Sequence, residues 1–101
     1  MRRGATSRVR HLLEKTRSED IAYVFPALLQ RERHRIFELL GSFERQAEVL
    51  SELDESLLPE LLEPLGIEAV VEILHEVSAD DVADIFAVLG EERATAILER
   101  M

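Results

Sequence analysis

The chain reads as an all-α protein, a set of short helices stacked into a curved superhelix. Three observations point that way. A pattern recurs at an offset of 61: Asp20-Ile21-Ala22-x-x-Phe25-x-x-Leu28 returns as Asp81-Val82-Ala83-x-x-Phe86-x-x-Leu89, and Ile36, Phe37 and Glu38 pair with Ile97, Leu98 and Glu99. Self-similarity of this kind marks stacked helical units, each too small to bury its apolar face alone. Apolar residues recur at three- and four-residue steps, and no segment shows the strict alternation of a half-buried strand. Finally, 47% of the residues are apolar but only 5% aromatic, so Leu, Ile, Val and Ala must fill the interior.

Each element follows from local signals. Arg8 to Glu14 forms a short first helix around Val9, Leu12 and Leu13. Ser18 is expected to cap a second, with Ile21, Ala22, Phe25, Leu28 and Leu29 on its buried face. Pro26 falls inside that helix, removes a backbone hydrogen bond and must bend or split it. The next runs from about Glu32 to Leu40, with Ile36, Phe37, Leu39 and Leu40 inward, and Gly41 closes it. Ser42 caps a helix carrying Phe43, Ala47, Val49, Leu50 and Leu53.

Asp54 or Ser56 opens the following helix, which turns Leu57, Leu58, Leu61, Leu62 and Leu65 inward. Pro59 fits its first turn if Ser56 is the cap, and Pro64 and Gly66 end it. Ile67, Val70, Val71, Ile73, Leu74 and Val77 make the next face. Ser78 caps the helix after that, with Asp81 three residues on, as in a capping box. Gly90 closes it, and Arg93 to Met101 forms the last helix.

At 101 residues this is one domain, large enough for a modest core. Residues 1–17 form a basic arm or first helix, and residues 18–101 a single helical domain. The arm holds six basic groups against Glu14, whereas residues 18–101 hold twenty acids and six bases. The net charge of −9 therefore hides a strong asymmetry. One short basic arm on an acidic body repels phosphate, so no nucleic-acid partner is expected. There is no cysteine, the usual state of an intracellular protein. No apolar run approaches the ~20 residues that span a bilayer, and no signal-peptide core opens the chain, so direct membrane insertion is not expected.

From Gln46 to Glu92 there are fourteen acids and no Lys or Arg. Ordinary solvated helix faces mix both signs, so this stretch suggests a cationic partner. Asp80 and Asp84, with Asp81 beside them, are the sharpest candidates, because side chains four apart emerge one turn apart on the same helix face. Mg²⁺ keeps several waters and often takes only one or two protein carboxylates directly. A bland role competes with this: acids in a first helical turn stabilise it through the helix dipole by roughly 0.3–1 kcal/mol each. His11, His34 and His75 stand in no ligand spacing, and His34, within a basic turn, reads as a surface residue. With no phosphate loop, no Cys nucleophile and no plausible Ser, His and Asp constellation, the chain is not expected to be an enzyme.

The string Ser78-Ala79-Asp80-Asp81-Val82-Ala83-Asp84-Ile85, the earlier Asp20-Ile21-Ala22, and Arg45-Gln46-Ala47-Glu48-Val49-Leu50-Ser51-Glu52-Leu53 together resemble the cytoplasmic N domain of MgtE-type magnesium transporters. The resemblance spans roughly residues 10 to 101. It implies a right-handed superhelix that precedes CBS domains and a transmembrane pore, at the cytoplasmic face of the cell membrane. In that family high intracellular Mg²⁺ bridges acidic residues of the N and CBS domains and closes the pore. Carried over, Asp80 and Asp84 match the acidic positions at that interface, Asp81 lies beside them, and Glu48 is a further match.

The resemblance also implies a weak Mg²⁺ site shared with a CBS domain of the same or another chain, and a homodimer through the transporter. Two departures stand out. Pro26 falls where the family has a helix former, and the sequence stops where a CBS domain would begin. The chain is then either a transporter fragment or a protein whose partner domain lies elsewhere. The alternative is a helical-repeat scaffold that binds protein without metal, resembling the flagellar motor switch protein. An exposed apolar patch on the terminal helix would favour it.

Overall fold

The computed structural model describes residues 3–101; Arg2 of the basic arm lies outside them. Helix α1 (Arg3–Lys15) begins earlier than the apolar pattern from Arg8 indicates, because such a pattern marks the stretch that packs rather than the full helix. The break at Pro26 is present. Helix α2 (Ser18–Val24) gives way to a 3₁₀ turn, Phe25–Ala27. Proline has no N–H to give the carbonyl four residues back, so the α-helical ladder stops there.

Ser18 differs from expectation: the cap position is Arg17, with no side-chain cap bond. The Ser18 hydroxyl, nearly buried, instead donates to Glu48 Oε1 at 3.0 Å.

Helix α3 (Gln30–Leu39) opens two residues early, where the Leu29 N–H donates to the Glu32 carboxylate at 2.8 Å. Gly41 turns the chain with φ of 86°, a region open to glycine at little cost. Ser42 then caps α4 (Phe43–Glu52), its Oγ accepting the Arg45 N–H at 3.1 Å. Asp54 accepts the Ser56 N–H at 2.9 Å and starts a 3₁₀ turn, Glu55–Leu57. Of the two candidate caps it is thus Asp54 that acts, and Pro59 sits in the first turn of a separate short helix, α5 (Leu58–Leu62). Helix α6 (Ile67–His75) follows Gly66. Ser78 caps α7 (Ala79–Leu89) by accepting the Asp81 N–H at 3.4 Å. Gly90, at φ of 93°, leads into α8 (Glu91–Arg100).

The helices pack in two rows. In one, α1, α3, α5 and α7 follow each other; in the other, α2, α4, α6 and α8 do the same. The rows share one core, in which Phe25, Val49, Leu62, Val70 and Ile73 have no accessible surface. The result is an elongated body of 40 × 22 × 22 Å.

Arg33 ties the rows' first half together. Its Nε and Nη2 donate to the two oxygens of Glu60, each at 2.6 Å, while Nη1 donates to the Leu28 and Phe25 carbonyls. One guanidinium therefore binds α3 to α5 and to the carbonyls of the turn after α2. Next to it, His34 is not the surface residue expected: it is half-buried, with its Nε2 shut off from solvent and without a hydrogen-bond partner.

The 61-residue repeat is realised in the backbone. The Thr16 N–H donates to the Leu13 carbonyl at 3.1 Å, and the Val77 N–H to the Leu74 carbonyl at 3.1 Å. Arg33 to Leu29 (2.9 Å) is matched by Ala94 to Gly90 (3.0 Å), and Leu40 to Phe37 (3.3 Å) by Met101 to Leu98 (3.2 Å). Helices α1, α2 and α3 thus correspond to α6, α7 and α8. The main difference falls at position 26, where the second unit has Ala87 in place of proline and α7 runs unbroken to Leu89.

Candidate functional site

The acidic head of α7 is built by its cap. Ser78 Oγ and the extended backbone at Ser78 (φ −64°, ψ 154°) set the helix start, so Asp80 and Asp81 fall in the first turn and Asp84 one turn on. Asp80 and Asp84 are exposed, and Asp81 is half-buried. No hydrogen bond or ion pair engages the Asp80, Asp81 or Asp84 carboxylate among the described residues. The three acids share one end of the helix but not one pocket.

Asp81 and Asp84 line a groove of about 100 Å³ with Glu55, over Leu53, Leu58 and Ile85. Asp80 stands outside it. Glu55 lies within the acidic stretch from Gln46 to Glu92, but no spacing rule ties it to Asp81. Only the turn Glu55–Leu57, packed against α7, brings them to one groove.

Glu48 is placed differently. It sits on α4, accepts the Ser18 hydroxyl and lies 3.7 Å from Arg45 Nε, so its carboxylate already has partners. Arg45 itself is anchored by Nη2, which donates to the Thr16 carbonyl at 2.7 Å and the Leu13 carbonyl at 3.2 Å. These contacts make Glu48 part of the joint between α1, α2 and α4.

Among the described residues, no group of three or more His, Cys, Asp or Glu side chains could by itself hold a metal ion. What the head of α7 offers is two unengaged carboxylates one turn apart. That fits a hydrated hard cation such as Mg²⁺ that needs further oxygens from elsewhere, and lacks the imidazole or thiolate that zinc or copper would want. A wider groove, about 450 Å³, lies between α1 and α3, floored by Val9, Leu28 and Ile36 and edged by Arg31, Glu32 and Arg35. No helix among the described residues is long and apolar enough to cross a membrane.

Compared with known families, the chain matches the model described as the MgtE intracellular N domain over residues 16–101. No curated protein and no solved structure matches it.

Proposed function

The chain belongs to the MgtE intracellular N domain family, and on that footing we propose that it is a Mg²⁺-responsive regulatory domain that docks onto CBS domains to gate magnesium transport. The family is one of regulatory rather than catalytic domains, and the name places it inside the cell. The observation that carries the finer reading is the pair Asp80 and Asp84. Both are exposed carboxylates without a partner, in a stretch from Gln46 to Glu92 that contains no Lys or Arg.

Asp80 and Asp84 would hold the cation on this side of the joint, with Asp81 and Glu55 adding negative potential from the groove beside them. Bound there, Mg²⁺ supplies positive charge shared between these carboxylates and oxygens of the partner. Without that charge, like-charged faces repel one another. Neutralisation favours the docked form by the difference in affinity between the two states. Glu48 contributes only to the surrounding field, because Ser18 and Arg45 hold it.

A backbone-amide NMR titration with MgCl₂, against NaCl at matched ionic strength, tests this. Saturable shifts confined to residues 80–84 and Glu55, absent with NaCl and lost in the Asp80→Asn/Asp84→Asn double variant, are expected. Small, spread, unsaturated shifts equal to those with NaCl would refute the ion site.

The terminal helix supports a second reading, a protein-binding scaffold without a metal role. Leu98 on α8 and Met101 just after it are 57% and 46% exposed, the apolar surface such a scaffold needs.

A further inference from the structure

The repeat places the same groove in both units and gives its walls opposite charge. Between α1 and α3 the groove has Val9, Leu28 and Ile36 as its floor, with Arg31, Glu32 and Arg35 on its α3 side. Moved by 61 positions, Arg31, Glu32, Arg35 and Ile36 become Glu92, Arg93, Ala96 and Ile97. These four line a groove of about 350 Å³ between α6 and α8. Because it recurs where α4 packs on α6, the groove is a product of the packing and not of an end of the chain.

The charges diverge on both walls. Helix α1 carries Arg3, Arg8, Arg10 and Lys15 against Glu14, whereas its counterpart, residues 64–76, carries three acids and no Lys or Arg. Helix α3 has three arginines against Glu32 and Glu38, and α8 has two against Glu91, Glu92 and Glu99. Arg31 and Arg35, both exposed, stand one turn apart on the groove side of α3. Glu32 is turned to its own helix end, where it accepts the Leu29 N–H at 2.8 Å. Arg35 lies 3.7 Å from Glu38, an exposed pair weak enough for an incoming carboxylate to displace.

We propose that the groove between α1 and α3 is a binding site for a small amphipathic anion, a single-chain fatty carboxylate. Its headgroup lies between Arg31 and Arg35, and its chain runs along Val9, Leu28 and Ile36. A volume of about 450 Å³ suits a small ligand, whose sites are mostly apolar with a few charged groups that fix orientation. Two guanidinium groups one turn apart can bracket a carboxylate, each through paired N–H donors. The charge of the whole molecule selects for a small ligand. At −9 it repels an extended anionic surface or polymer, whereas a monoanion in the groove feels mainly the charges within a Debye length, about 8 Å at 0.15 M salt.

This site needs no cation and lies at the opposite end of the rows from Asp80 and Asp84, so it stands or falls apart from the Mg²⁺ reading. The probe is monomeric sodium dodecanoate at neutral pH in EDTA, followed by amide NMR and calorimetry. Saturable shifts at residues 9–13 and 28–36 are expected. Dodecyl maltoside, with the same chain and an uncharged head, should bind at least about tenfold more weakly. Acetate, with the head alone, should give no saturable shifts.

The second unit supplies the decisive variant. Arg31→Glu with Arg35→Ala installs its residues, and should weaken dodecanoate binding at least about tenfold. Both positions are exposed, so circular dichroism should show an unchanged fold. Arg100→Glu, a charge reversal on α8, should leave the affinity as it is. Absence of saturable binding, equal affinity for dodecyl maltoside, equal shifts at residues 92–97, or indifference to the double variant would overturn the proposal. So would binding to phosphatidylglycerol vesicles without binding of monomeric dodecanoate, which would mean that the basic helices meet a lipid surface and the groove holds no ligand.

Discussion

Arg33 shows how much one side chain decides in this protein. Its hydrogen bonds hold the Glu60 carboxyl below its ordinary value of 4.5, outweighing the opposite effect of burial, and raise its own pKa. A carboxyl depressed in the folded state contributes stability above its unfolded pKa, and that stability is lost as pH falls through the lower folded value. Urea midpoints should therefore fall as pH drops below about 4.5. Glu60→Gln should be less stable at neutral pH and lose part of that acid dependence. Equal acid slopes for the two proteins would show that the pair is not its source. Asp54, held low by the Ser56 N–H and hydroxyl, titrates in the same sense and should remain as a residual slope. Burial sets a second contrast at this scale. Ile73 has no accessible surface, and Ile73→Ala should cost about 2–5 kcal/mol through lost contacts and a cavity. Leu12, 64% exposed, should tolerate the same change within about 0.5 kcal/mol.

The helix ends are the next level, and the serines separate there by role. Ser42 and Ser78 accept backbone N–H groups, so Ser42→Ala should cost about 1 kcal/mol. Ser18 caps nothing, and Ser18→Ala only frees Glu48, which is half-exposed and can turn to Arg45 or water, for a loss of about 0.5 kcal/mol. Gly90 sits at φ of 93° and ψ of 161°, ground that only glycine occupies without strain. Gly90→Ala meets no neighbouring atom, so its cost of about 1–3 kcal/mol should be purely conformational. Chemical denaturation of the three variants checks this ranking. These ends also show what could be read from the chain. Ser42, Ser78, Gly41, Gly90 and the break at Pro26 follow from local rules, and so did the helical periods and the repeat. Ser18 did not, because choosing between a cap and a bond to Glu48 requires knowing that α4 lies on α2. His34, half-buried in the fold, is not legible from its basic neighbours for the same reason: its surroundings come from distant sequence. At the candidate site, Asp80 and Asp84 follow from spacing on one helix. Glu55 beside Asp81 and Asp84 depends on a turn packed against that helix, and the partners of Glu48 on a fold that joins residues 30 apart.

At the scale of the whole molecule, the two-row stack makes stability uneven along the chain. Residues 46–92 carry fourteen acids and no Lys or Arg of their own; arginines from outside the stretch pair with Glu48, Glu60 and Glu68, and the mutual repulsion of the others opposes the folded state. Raising NaCl should therefore raise the melting temperature by screening alone, since the Debye length falls from about 30 Å at 0.01 M to about 8 Å at 0.15 M. The gain should extend to α7, where the Asp80, Asp81 and Asp84 carboxylates have no partner among the described residues. In a repeat stack each unit is held mainly by its neighbours, and these two helices form the end whose outer stripe, from Ala79 through Leu98 to Met101, faces water. The first unit has the same stripe beneath α4, and α4 is held in turn by α6. Native-state hydrogen exchange should consequently separate the two halves. Amides of α2, α4 and α6 should open only with global unfolding, while those of α7 and α8 open by a smaller, local step. That step should become more costly as salt rises. Uniform protection across the described helices, insensitive to salt, would show that α7 and α8 are held as firmly as the rest of the stack.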